Sequence, residues 1–270
     1  MPALRLLLAA LTAVAALLIP AAGMAQMGGD RCLAVSEAPR PIRPASLRPT
    51  ALKEIEVRIT FVGHATWLIE SAGAIRIATD YNDYIRPQVV PDIATMNRAH
   101  TTHYSMFPDP GIKHVLRGWN PDGGPARHDL TVGDVRVRNL ATNIRDWAGG
   151  YIPHGNSIFI FEIAGLCIGH LGHLHHTLSD QQLGHIGQLD VVMVMVDGSY
   201  SLDVEGVVEV IKKLRARLIL PMHYFNPFTL NRFLDRIRSD FPVETATAPT
   251  IVVAQATLPA EPKVLVLPGS

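Results

Sequence analysis

Alternating apolar and polar positions predict strands over the first two thirds of the chain. From Glu54 the pattern has a period of two, because Val57, Ile59 and Phe61 alternate with polar residues, as on a half-buried strand. The same reasoning predicts further strands and hairpins over residues 66–70, 74–78, 130–140 and 157–168. This part of the chain is therefore predicted to form β-sheet.

The last third has a different pattern, in which strands alternate with helices. Residues 190–196 and 218–220 are continuous apolar runs, typical of strands covered on both faces. Between them Asp203 is expected to cap a helix with apolar residues at helical spacing, and residues 229–241 predict a second amphipathic helix. Hairpins followed by strand–helix–strand units indicate mixed α/β layers.

The N-terminus has the pattern of a secretory signal. Arg5 precedes an apolar segment over residues 6–19, and small residues lead to Ala25, so cleavage after Ala25 is expected. A permanent transmembrane anchor is the alternative, although the run is shorter than the ~20 residues that a span needs. We predict a signal peptide (1–25), a Pro/Arg-rich linker (26–52), one domain (53–270) and a periplasmic or secreted location without a stable membrane anchor after cleavage.

Charge and cysteine content narrow the function classes. The chain has 24 Lys and Arg against 24 Asp and Glu, which gives no argument for a nucleic-acid partner. Its only cysteines, Cys32 and Cys167, could pair in an oxidising compartment, and the sequence leaves this open. A serine nucleophile elbow of the form Gly-x-Ser-x-Gly is absent from the sequence.

A histidine-rich stretch over residues 168–180 is the strongest chemical signal. Four of the chain's 12 histidines occur there, at positions 170, 173, 175 and 176. They follow a predicted buried strand and precede Ser179 and Gln182, which form a capping-box pattern at a helix start. The bland alternative is a polar loop with unrelated histidines. Their clustering at a strand end favours a functional site.

Several motifs in fixed order resemble the metallo-β-lactamase fold superfamily, in the branch of ascorbate-phosphate lactonase-like hydrolases. The motifs are Phe61-Val-Gly-His-Ala-Thr-Trp-Leu-Ile-Glu70, Thr79-Asp80, Gly155-Asn156, His170-Leu-Gly, Leu178-Ser-Asp-Gln-Gln-Leu183 and Pro221-Met-His-Tyr224. The resemblance implies an α/β fold, the αββα four-layer sandwich, in which two sheets pack face to face with helices outside. It also implies a metal site at one edge of the sandwich.

The metal-ligand motif departs from that family. Its Thr-His-x-His-x-Asp-His signature corresponds to residues 102–108, where His103 is kept but Phe107 and Pro108 carry no donor atom. Another expected histidine corresponds to Arg145, and the carboxylate that bridges two metals corresponds to His173. A neutral imidazole has one lone pair and cannot bridge, so we expect at most one zinc per chain.

The resemblance then implies a rewired zinc site built on three histidines from separate loops. They are His103, His173 and His223, and a three-histidine zinc site with an open water position is a known catalytic form. His100 and Asp109 are candidate replacement ligands, and His64 could lie beside them.

Asp80 or Asp109 is the candidate base for hydrolysis of a small ester, lactone or phosphoester. The alternative is a metal-free member of the fold that binds a ligand or partner without catalysis. The sequence does not indicate an oligomeric state.

Overall fold

The computed structural model describes residues 52–146 and 148–269. The predicted signal peptide (1–25), all but the last residue of the predicted linker, and Cys32 lie outside this range, so the expectations about them stay predictions. Cys167 is buried and disulfide-bonded. No helix in the described ranges is long and apolar enough to cross a membrane.

In the described part of the chain, nine strands precede the first helix. They are β1 (Val57–Gly63), β2 (Thr66–Ser71), β3 (Arg76–Ala78), β4 (Ile93–Met96), β5 (His114–Arg117), β6 (Asp129–Val132), β7 (Val135–Arg145), β8 (Tyr151–Ile163) and β9 (Leu166–His170). Strands and helices then alternate, through α1 (Asp180–Ile186), β10 (Val191–Met195), α2 (Val204–Leu214), β11 (Leu218–Met222), α3 (Pro227–Ile237), β12 (Val243–Thr245), β13 (Thr250–Val253) and β14 (Lys263–Val266).

The strands form two sheets with the main core between them. One sheet has six strands in the order β13-β1-β2-β3-β4-β5, and the other has eight in the order β12-β14-β11-β10-β9-β8-β7-β6. Trp67 from the first sheet and Phe159, Phe161 and Met193 from the second are fully buried in one apolar cluster. This arrangement confirms the predicted α/β sandwich.

The three helices pack on the outer face of the eight-stranded sheet. Alternate residues of β8 and β10 point to that face, and they share a second buried cluster with the apolar sides of α1, α2 and α3. The outer face of the six-stranded sheet carries a smaller cluster around Tyr81 and Met96, with no helix over it in the described part of the chain.

Capping residues fix the helix starts that the sequence predicted. The Asp203 side chain accepts from the Gly206 N–H at α2, and Ser179 and Gln182 form the reciprocal box at α1. The third helix begins at Pro227, two residues before the predicted start, because Asn226 caps it and proline suits the first helical turn.

Parallel pairing brings several strand ends to one edge of the sandwich. Strand β10 runs parallel to both β9 and β11, and β4 runs parallel to β3 and β5. Their C-terminal ends lead into the loops that carry the site histidines.

Candidate metal centre

Four histidines converge at this edge. His64, His100, His103 and His223 each offer a ring nitrogen, and these atoms lie within 4.8 Å of one another. His64 comes from the turn between β1 and β2, His100 and His103 from the loop after β4, and His223 from the end of β11. Imidazole nitrogens grouped in this way are suited to a divalent transition metal such as zinc.

His103 and His223 form the best-defined pair in the group. Their Nε2 atoms are 3.1 Å apart, while each Nδ1 faces a buried carboxylate, Asp80 at 2.5 Å and Asp197 at 2.9 Å. Because each Nδ1–H donates to a carboxylate, both Nε2 atoms carry lone pairs. Two ligands of one tetrahedral zinc lie about 3.3 Å apart, given bonds of ~2.0–2.1 Å. The pair therefore fits a shared metal ion.

Asp80 orients His103 and is not placed to act as the predicted base. The side chain is fully buried, and its second oxygen accepts from Asn97 Nδ2 at 2.9 Å. Burial raises the pKa of Asp80 to about 6, although the neighbouring His170 and the Asn97 hydrogen bond oppose the shift. With both oxygens engaged and no exposure, this carboxylate supports a ligand from behind.

Asp197 has the same role for His223, although the sequence analysis did not predict it as a site residue. Its Oδ2 accepts from the backbone N–H groups of Ser199, Tyr200 and Ser201 at 2.6–3.1 Å. Burial alone would raise the pKa of Asp197, but the hydrogen bonds from His223, Ser201 and Ser199 outweigh it and hold the pKa well below its usual range. An aspartate directly after a buried parallel strand was the signal, since β10 ends beside β11 and His223.

Backbone conformation at the site is unusual. His64, Asp80 and His223 have positive φ values of 52°, 42° and 57°, which non-glycine residues adopt at a cost. The His223 N–H donates to the His64 carbonyl at 2.6 Å, and their rings lie 4.2 Å apart. This backbone contact holds the β1–β2 turn against the end of β11.

His100 and His64 are joined through a hydroxyl group. Thr102 Oγ1 lies 2.7 Å from His100 Nδ1 and 2.9 Å from His64 Nε2. Phe225 lies beside His64 and His223, with ring centroids 5.6 and 5.4 Å away, and Tyr200 contacts Phe225 edge-on. Both aromatic rings are more than half exposed and flank the histidines.

The predicted histidine His173 lies at the centre but outside the four-histidine group. Its ring centroid is 4.8 Å from that of His103 and 4.7 Å from that of His223, so the three loops converge as expected. Its Nε2 is 3.1 Å from His100 Nε2, and its Nδ1 is 2.6 Å from His175 Nε2.

Two other residues considered from the sequence are accounted for by local hydrogen bonds. Asp109, predicted as a ligand or base, accepts from the Gly111 N–H in an exposed turn and is not in the four-histidine group. Asp109 therefore caps this turn. His170, one of the four histidines of the 168–180 stretch, is buried, with Nε2 bonded to the Ala65 carbonyl and Nδ1 accepting from the Gly172 N–H.

Burial favours the neutral form of three of the four grouped imidazoles, and the neutral form is the one that binds a metal. Burial lowers the pKa of His64 to about 3, with help from His223 and His100. Burial also lowers the pKa of His100, and it lowers the pKa of both His103 and His173 well below the usual value.

The positions that lost donor atoms do not enter the centre. Phe107 is 86% exposed, and Ser105 Oγ donates to Asp83 at 2.6 Å instead of facing the histidines.

Comparison with known proteins identifies the family. The model of the β-lactamase superfamily domain matches residues 58–223. The chain belongs to the β-lactamase superfamily. A solved metallo-β-lactamase superfamily structure from Thermotoga maritima is 28% identical in sequence to this chain and superposes with a TM-score of 0.57. The match covers 78% of this chain and 98% of the Thermotoga maritima chain.

Two curated relatives agree with that assignment. A UPF0173 metal-dependent hydrolase of Thermoplasma volcanium is 29% identical over 197 residues, which are 63% of this chain and 84% of the relative. A UPF0173 protein of Pyrococcus furiosus is 25% identical over 186 residues, with 62% and 83% covered. The superfamily resemblance expected from the motifs is confirmed.

Proposed function

We propose that this member of the β-lactamase superfamily is an exported, metal-dependent hydrolase with a single zinc ion. One observation carries the proposal: the Nε2 atoms of His103 and His223 lie 3.1 Å apart, and the Nδ1 of each ring faces a buried carboxylate. His100 and His64 are the nearest further donors. Support comes from the Thermoplasma volcanium relative, which is named a metal-dependent hydrolase, and from the Thermotoga maritima protein, which is named a candidate zinc-dependent hydrolase.

The residues of this chain have distinct tasks in the proposed reaction. A bound zinc would supply a Lewis acid that polarises a carbonyl or phosphoryl oxygen and acidifies water. Asp80 and Asp197 hold the Nδ1 protons of His103 and His223, so that both rings keep one orientation. Tyr200 and Phe225 offer an apolar wall for a small ester, lactone or phosphoester. Export rests on the predicted leader, and N-terminal sequencing of protein expressed with that leader tests it.

Metal content of untagged, desalted protein tests the proposal. We expect about one zinc per chain, with His103→Ala and His223→Ala each lowering zinc affinity at least 100-fold, because each removes a ligand and leaves a carboxylate unpaired. His114→Ala, on β5 away from the group, is the matched control and should keep the metal.

Two outcomes would contradict the proposal. Two tightly bound ions would contradict a single centre. No binding under zinc-replete conditions would favour a metal-free binding protein of the same fold.

A further inference from the structure

A chain of hydrogen bonds leads from Arg145 into the centre, and its direction is fixed at the outer end. Arginine donates hydrogen bonds and cannot accept them through its side chain. The Arg145 backbone N–H and Nε–H both donate to His175 Nδ1, at 3.0 and 3.2 Å. A ring nitrogen that accepts carries no proton. His175 is therefore neutral, with its proton on Nε2.

The same argument determines which ring nitrogen of His173 carries the proton. His175 Nε2–H donates to His173 Nδ1 at 2.6 Å, which leaves the proton of His173 on Nε2. That N–H points at His100 Nε2, 3.1 Å away.

The remaining links follow in the same direction. His100 then carries its proton on Nδ1 and donates to Thr102 Oγ1, whose hydroxyl donates to His64 Nε2. In this pattern His100 Nε2 and His64 Nε2 both accept hydrogen bonds, so zinc binding by either ring requires that hydrogen bond to be given up.

This protonation pattern is the opposite of the one on the other two histidines. His103 and His223 give Nδ1–H to carboxylates and keep Nε2 free, the arrangement found on metal-ligating histidines. His173 accepts a hydrogen bond from His175 at Nδ1 and presents N–H at Nε2. We infer that His173 is a hydrogen-bond donor in the centre and not a metal ligand, with Arg145 and His175 as the positioning residues that hold its tautomer.

Both ends of this assembly are anchored. The Arg145 Nη2 donates to the carbonyls of Ser199 and Ser201, which lie in the turn that holds Asp197. The His173 backbone N–H donates to Asn156 Oδ1 at 2.7 Å. His173 thus occupies the family's bridging-carboxylate position with a fixed donor, which can serve His100 or an oxygen atom of a bound substrate.

Histidine tautomers in the full chain test this inference, because a protonated ring nitrogen and an unprotonated one differ strongly in ¹⁵N chemical shift. We expect His173 to be protonated at Nε2, both without added metal and with one equivalent of zinc. His175→Glu replaces the donor with a carboxylate that accepts, so His173 should switch to Nδ1–H. His176→Glu adds the same charge at the next residue and should leave the tautomer unchanged.

A second measurement separates donor from ligand. His173→Gln keeps an N–H donor but offers no imidazole lone pair, so zinc affinity should stay within about threefold of the native protein. An affinity loss above tenfold with unchanged thermal stability would overturn the donor assignment, as would a native His173 protonated at Nδ1. This inference rests on the site of the proposed function. Because the tautomers are also measured without metal, a wrong donor assignment for His173 can be distinguished from a failure of the protein to bind zinc.

Discussion

The two carboxylates behind the centre differ in how firmly they hold their charge. Asp197 accepts from three backbone N–H groups and from His223, which keeps its pKa low. Asp80 has only Asn97 and His103 at its oxygens, and burial raises its pKa to about 6. The charged form of the carboxylate behind His223 is therefore favoured, whereas burial disfavours the charged form of the carboxylate behind His103.

Replacing Asp197 with asparagine should damage both stability and metal binding. Both oxygens of Asp197 accept hydrogen bonds, so an amide NH₂ must face a donor wherever it points. We expect a loss of about 1–3 kcal/mol in the free energy of unfolding and a zinc affinity about 10–100-fold lower.

Urea unfolding and zinc titration measure these two effects. Asp109→Asn is the control, because Asp109 accepts a single N–H in an exposed turn that an amide oxygen can also satisfy. Equal results for the two variants would remove the role assigned to Asp197.

At the scale of elements, the loop after β9 depends on one glycine. Gly172 has φ of +60°, and a Cβ there would lie 2.4 Å from both Asn97 Nδ2 and Asn156 Oδ1. Asn97 supports Asp80, and Asn156 holds the His173 backbone. A side chain at this position would therefore push apart the two amides that align the histidine loop with the loop after β4.

Gly172→Ala should accordingly lower the free energy of unfolding by about 1–3 kcal/mol, from backbone strain and overpacking, and weaken zinc binding. Gly184→Ala is the matched control, since nothing lies within 4 Å of its Cβ position in α1, and alanine there should stabilise by up to about 1 kcal/mol. Chemical denaturation measures the free energy of unfolding of both variants. An unchanged free energy of unfolding for Gly172→Ala would show that the loop tolerates a shift.

The helices and strands were largely predictable from the sequence, whereas the hydrogen bonds between residues of the site were not. Caps such as Asp203 and Ser179 and the apolar run before Asp197 are local patterns, and they gave the helix starts and the β10 strand. His103 and His223 were found through the family motif. The partners of His103 and His223 depend on contacts between segments 23 and 26 residues apart, and the direction of the hydrogen bond at His173 depends on Arg145. No local pattern encodes these contacts.

For the whole molecule, the neutral histidines make stability depend on pH. The pKa of His64 is lowered to about 3 and that of His175 to about 4, in both cases mainly by burial. The unfolded chain takes up protons on these rings below about pH 6.5, while the folded chain does so only nearer pH 4 and below. Unfolding therefore binds protons in this window, and the free energy of unfolding falls as pH falls.

Asp80 opposes this trend, because its raised pKa of about 6 makes the folded chain protonate it before the unfolded chain does. The buried histidines outnumber it, so the metal-free protein should be more stable above about pH 6.5 and should lose stability between pH 6.5 and 4. The contribution of His64 is at most about 1.4 kcal/mol per pH unit, and that of the more exposed His175 is smaller. Urea unfolding at steps of one pH unit measures the slope. His175→Gln should give a shallower slope, and a pH-independent native protein would refute neutral, buried imidazoles.

The hydrogen bonds from Arg145 to His175 also bear on how the site could evolve. Arg145, His175 and His173 bond in series, so a change at one of them leaves the next with a mismatched proton. Substitutions at Arg145 and His175 should then be strongly epistatic, because each of these residues sets the tautomer of the next ring. An aspartate at position 173 would accept from the same His175 Nε2–H that Arg145 holds in place, so this pair could support either a histidine or a carboxylate there. A lineage with Arg145 and His175 therefore keeps position 173 open to either histidine or a bridging carboxylate.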